Sequence, residues 1–271
     1  MVKEEIKNIV EETKELIMRQ NFDHAMQRIS EGLEIAESDE DFAALYAVRG
    51  MANYFQHMPA MALEDLRTAR NYAEKTANDE LKSNIREDVV YLENYINKLK
   101  TYISSEEERL EKEEDERERG IILSELGTLY YYMGRRDAAR EKFTQALQIF
   151  ERIGEDLAVA ATYVNLGNST DSIEAIDYFY RALDILEKEG HMHGIADVYE
   201  SLALFYWREE KWEEAYYFLK KEIEVVEEIE KVEGREETLR KYGDVYRMAA
   251  DVATILGRED ECLKFMEKLG S

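Results

Sequence analysis

Punctuation is scarce in this chain. One proline and 13 glycines stand among 271 residues. Turn-rich β architectures need those residues at every corner, so their scarcity argues against such folds and for long helices. Cysteine is as rare as proline: Cys262 stands alone, and no internal disulfide can form. No stretch approaches the apolar length that spans a bilayer. The opening MVKEEIKNIVEETK is charged throughout and has no apolar signal core. A cytoplasmic protein is expected.

Basic residues are also short, with 36 Lys and Arg against 61 Asp and Glu and a net charge of −25. Up to Ile103 there are 20 acidic and 13 basic residues, and beyond it 41 and 23, so the acidity gathers in the later part. A protein that grips nucleic acid needs Lys and Arg to displace counterions from phosphate. The balance therefore speaks against DNA, RNA and anionic membrane as main partners. It favours a partner that is basic, or neutral with basic spots. Abundant charge with little Cys and Gln is compatible with a thermophilic, archaeal source.

Catalytic signatures are missing as well. There is no GxxxxGK[ST], no GxGxxG after a strand, no GxSxG, no HExxH and no CxxC. Only four histidines are available: His24, His57, His191 and His193. His191-Met192-His193 is the one local candidate for a metal. A site needs more ligands and a shell to orient them, so the triplet reads as an exposed loop after Gly190. No catalytic residue, cofactor or metal is expected. Carboxylate pairs such as Glu227-Glu228 read as solvated helix faces.

What the chain does have is helical periodicity. Ile6, Val10, Thr13 and Ile17 mark a first apolar stripe; Phe22, Ala25, Met26, Ile29 and Leu33 mark a second, after Asn21 as a cap. Phe42, Leu45, Val48 and Ala52 begin a third helix. Pro59 opens a fourth, where its missing N–H is harmless. Leu81, Ile85, Val89, Leu92, Ile96 and Leu99 predict one long helix over 79–103. Residues 106–119, EEERLEKEEDERER, hold a single large apolar residue, Leu110. A helix polar all round must project into solvent or bridge packed units. The expected layout is residues 1–103 as about two helix pairs plus the long helix, 104–119 as a charged linker or the start of the next helix, and 120–271 as about four pairs.

The later part repeats itself. Leu126-Gly127, Tyr130, Gly134, Ala139, Phe143 and Ala146 set the offsets. Leu166-Gly167, Ala175, Phe179 and Ala182 follow them, then Leu202-Ala203, Tyr206, Ala215 and Leu219. Ala249-Ala250, Ala253, Cys262 and Met266 are a worn copy, with Cys262 in a small-residue slot where it reads as buried packing. Gly50, Ala62, Leu66 and Ala69 match in the earlier part. This spacing resembles the tetratricopeptide repeat family in a longer form of about 40 residues. The family's Trp slot holds Leu123, Tyr163 and Tyr199, and its closing Pro is missing, with Gly154, Gly190 and Gly234 as stops. Small residues let two antiparallel helices approach, with the Gly facing the first Ala. Between Gly167 and Ala175 four residues are missing, close to one turn. Ser169, Thr170, Asp171 and Ser172 are expected to supply turn and cap there, whether as neutral drift or as a notch.

The resemblance implies an all-α superhelical solenoid of antiparallel helix pairs with a concave groove. It implies a non-enzymatic scaffold or adaptor that holds a peptide or helix of another protein. A ligand-responsive sensor and a structural solenoid that self-associates through its ends are the alternatives. In the family, first helices line the groove. Carried over, the lining is Tyr54, Ser124, Thr128, Tyr131, Asn165, Asn168, Glu200, Leu204, Trp207, Arg247 and Asp251. Asn165 offers a donor and an acceptor to a peptide backbone, and Trp207 and Tyr131 offer anchor surface. The chaperone-clamping subgroup needs Lys and Arg where Ile121, Ser124, Asp197 and Ser201 stand, so that function is disfavoured.

Overall fold

The structure, a computed structural model, describes residues 2–18 and 21–270. Among the described residues there are thirteen α-helices and no strand. The chain divides into two compact units, residues 1–114 with 125–142 and residues 115–124 with 143–271.

The first unit contains α1 (Val2–Met18), α2 (Phe22–Ile35), α3 (Asp39–Phe55), α4 (Pro59–Ala73) and α5 (Asp79–Lys112). The starts have local causes. The Asn21 side chain accepts from the His24 N–H. Ser38 and Asp41 close a capping box that satisfies two orphan N–H groups of α3. Pro59 is the first residue of α4. Asn78 accepts from the Leu81 N–H at 3.0 Å and opens α5.

α1 pairs with α2, α3 with α4, and α5 lies along α4. The α3–α4 crossing is close because Ala43, Ala62, Ala69 and Ala73 are all fully buried in it. The predicted stripe of α5 delivers Ile85, Val89, Leu92 and Ile96 to the same core. Each such side chain contributes about 1.5–3 kcal/mol by leaving water. α5 runs past the apolar stripe through the first charged residues to Lys112, and the helix then breaks before α6 (Glu116–Tyr132).

α6 and α7 (Arg136–Ile153) each contribute to both units. The second unit continues with α8 (Asp156–Asn168), α9 (Glu174–Glu189), α10 (Met192–Arg208), α11 (Trp212–Glu233), α12 (Arg235–Ile255) and α13 (Glu259–Gly270). They form the hairpins α8–α9, α10–α11 and α12–α13, and α9 meets α10 as α11 meets α12. Gly190 ends α9 in the left-handed region at φ 64°, a conformation that side chains resist.

The small slots depart in part from the expectation. A Cβ on Gly167 would stand 2.4 Å from Cε1 of Phe179, and one on Gly50 3.0 Å from Cγ of Leu66. At Gly167 the slot makes room for Phe179, four positions after the first Ala, while at Gly50 it faces both Leu66 and the Ala62 carbonyl, the latter at 3.2 Å. Phe179 is fully buried as a result.

Two local readings need correction. The Ser169 and Thr170 hydroxyls donate back to the Leu166 carbonyl, at 3.0 and 2.7 Å. They finish α8, while α9 starts at Glu174, and Ile173 before it supplies no side-chain cap. Cys262 is half-buried and takes a 3.3 Å contact from the Thr254 hydroxyl. The worn copy packs more loosely than its siblings, with Leu263 and Met266 exposed.

Candidate functional site

In the first unit the geometry centres on Tyr54. It stands near the end of α3, facing α5. Its hydroxyl lies 3.5 Å from that of Tyr91, and its ring meets those of Tyr91 and Tyr95 edge-on at 6.4 and 5.8 Å. The contact with Tyr91, then burial, pushes its pKa up to about 12. It therefore stays a neutral phenol that can donate or accept.

Tyr54 lines two cavities. One, of about 500 Å³, is walled by Val10 of α1, Met51 of α3 and Leu92 of α5, with Lys14 and Asp88 as its charged members. Burial, then Glu87, pushes the Asp88 carboxyl above its ordinary range. The other, of about 270 Å³, is lined by Phe55, His57, Pro59, Tyr95 and Tyr132. Burial, then Arg136, lowers the pKa of His57. An apolar hollow with a few convergent polar groups is the usual form of a binding site.

The other assigned residues fall into both units. Thr128 and Tyr131 belong to the first. Both are half-buried, and the Tyr131 ring lies 4.9 Å from His57, against the α3–α4 turn. Ser124 belongs to the second unit. There Asn165, Asn168 and Leu204 are half-buried, while Glu200, Arg247 and Asp251 are exposed. Arg247 pairs with Asp244 at 2.8 Å.

Trp207 is a correction. Only 4% of it is exposed, and its ring stands edge-on to Trp212 at 5.6 Å. It fills the core where α10 turns into α11 and has no free face to offer as an anchor.

The histidine pair divides: His191 is exposed in the connection after Gly190, as expected, and His193 is not in that loop. His191 caps α10, its Nδ1 accepting from the Gly194 N–H at 3.0 Å. His193 lies inside α10 and bridges to the Tyr242 hydroxyl and the Glu233 carboxylate, both at 2.7 Å. Among the described residues, no group of three or more His, Cys, Asp or Glu is disposed to hold a metal ion.

One residue escaped the sequence reading. Glu222 of α11 is only 3% exposed. Its Oε2 is fully buried and has no hydrogen-bond partner. Burial, then the charges of Glu200 and Asp197, pushes its carboxyl up to about 9. Counted along the repeat, it holds the slot that Ala69, Ala146 and Ala182 fill, each fully buried. A Glu where three siblings have Ala, and the remaining two have Gly32 and Leu269, was the available signal.

Short helix pairs with small residues at their crossings define a class, the helical-repeat proteins of tetratricopeptide type. Residues 118–188 match the sequence model of the tetratricopeptide repeat. No curated protein matches the chain. Among solved structures, apo RapI is similar at 17% identity and a TM-score of 0.53, over 97% of this chain and 75% of that one. A Rap protein complexed with Competence and Sporulation Factor is similar at 16% and 0.50, over 98% and 76%. BtubC (BKLC) from P. vanneervenii is similar at 16% and 0.48, over 100% and 90%. These likenesses are likenesses of fold. No described helix is long and apolar enough to cross a membrane.

Proposed function

We propose that this chain is a non-enzymatic scaffold whose helix pairs hold a segment of another protein. The observation that carries the reading is the cavity of about 500 Å³ beside Tyr54. Its apolar walls suit one or two anchor side chains, and Lys14 and Asp88 give it a direction for polar ends. The similar Rap protein was crystallised with Competence and Sporulation Factor, which supports a partner-binding use of this fold.

In the first unit we assign Tyr54, with Thr128 and Tyr131 beside it in the reading. In the second we assign Ser124, Asn165, Asn168, Glu200, Leu204, Arg247 and Asp251. The net charge of −25 supports a partner that is basic or neutral. The single cysteine suits a cytoplasmic setting.

The test is co-purification from native lysate with wild type and with Tyr54→Ala/Met51→Asp, read by mass spectrometry. Proteins lost with the variant, while its helical circular dichroism is unchanged, are the expected partners. Capture of the same set by both ends the assignment of this face.

A further inference from the structure

The second unit holds a carboxylate group in which Lys241, His193 and His191 act on Asp197, while the charges acting on Glu200 and Glu222 are all negative. Asp197 and Glu200 stand three residues apart on α10 and so share a face. Glu222 comes from α11, the other helix of the same hairpin, and the charges acting on it are those two. Asp244 of α12 adds its charge to Glu200. Glu222 is buried, whereas Asp197 and Glu200 are exposed.

The nearby cations are engaged elsewhere. His193 is held by Tyr242 and Glu233. Lys241 reaches His193 at 3.2 Å and lies 4.8 Å over the Tyr242 ring. Both act on Asp197, and neither is among the charges acting on Glu222. A buried carboxylate oxygen without a donor is expensive. Here it is avoidable, because three sibling hairpins fill this slot with alanine.

The ligand follows from the spacing. The described carboxylates do not gather into a metal-ligand set. A guanidinium is larger, planar and carries five donors in a fixed fork, so it can serve carboxylates spread over two helices. We propose that Asp197, Glu200 and Glu222 form a receptor for an arginine side chain on the partner segment. This rests on the scaffold reading and adds to it a named residue type at a named place.

The test uses the full chain and a capped alanine-rich heptapeptide with one central arginine, followed by amide NMR shifts. Arms carry citrulline, which is isosteric and neutral, or lysine at the centre. The arginine peptide is expected to move amides of α10 and α11 around residues 197–201 and 219–223. It is expected to bind at least tenfold tighter than the citrulline peptide. Glu222→Ala, which restores the sibling residue, should remove that tenfold without lowering the thermal midpoint. Glu228→Gln, the loss of a carboxyl at an exposed site on the same helix, should leave binding unchanged. Equal binding of arginine and citrulline, or undiminished binding by Glu222→Ala, overturns the receptor; a lysine peptide as tight as the arginine one overturns the guanidinium assignment. The titration needs no captured partner, so it fails separately from the Tyr54 experiment.

Discussion

The two units each bury a carboxylate, and they treat it in opposite ways. Asp65 of α4 is 5% exposed. It accepts from Arg49 at 2.5 and 3.0 Å on one oxygen and from Asn53 at 2.7 Å on the other. Glu222 is buried as deeply and accepts from nothing on its inner oxygen. The first carboxylate locks α3 to α4. The second is kept against the interests of packing. A buried carboxyl with all its partners speaks for structure, and one without them speaks for something that comes from outside.

The largest effect expected is on the satisfied side. Asp65→Ala leaves Arg49 and Asn53 without their acceptor and should lower stability by about 4 kcal/mol, read from urea unfolding. A loss below about 1 kcal/mol would show that the pair is incidental.

The unsatisfied side should show itself through pH. The folded-state carboxyl of Glu222 sits at about 9, above its unfolded value near 4.3. A raised folded value gives stability that is complete below the unfolded value and lost as pH climbs to the folded one. Relative to Glu222→Gln, the wild type should therefore lose about 4 kcal/mol between pH 5 and pH 8. Asp197 and Glu200 of α10 and Tyr246 of α12 are the titrating neighbours. Parallel pH profiles for the two proteins would mean that Glu222 is ionised in the fold.

A third change isolates plain packing. Gly167→Ala drives a methyl into the Phe179 ring and should cost about 2 kcal/mol. Phe179→Leu in the same chain should recover part of that loss, and a double variant that is simply additive breaks the assignment. The smallest effect belongs to exposed pairs. Arg117 meets Glu155 at 3.0 Å with both side chains open to water, and Arg117→Ala should change stability by less than about 0.5 kcal/mol in ordinary salt.

Much of the fold was legible because steric slots leave a trace in residue size. Pro59, Gly190 and the buried alanines 62, 69, 139, 146 and 182 could each be placed from spacing alone. The contact that Gly167 makes was harder to read, because spacing shows that a slot is small and not which neighbour fills it. Trp207 shows the limit on the site. Its helix position was readable, but whether a neighbouring ring covers it depends on three-dimensional contact with Trp212. Tyr54 was reachable through the repeat, whereas the cavities around it are made partly by α1 and α5. Glu222 was in plain view as the wrong residue type for its slot.

Four corners of the chain stand clear of everything else. A side chain added at Gly154, Gly190, Gly234 or Gly257 would meet no atom within 4 Å. Each glycine holds a positive φ that a side chain resists, so a probe belongs on the exposed residues beside it. A dye pair on the exposed Glu189 and Val232, beside the turns at Gly190 and Gly234, would bracket the α10–α11 hairpin. Energy transfer between them would then report any change in its pitch as a ligand arrives, with no core residue replaced.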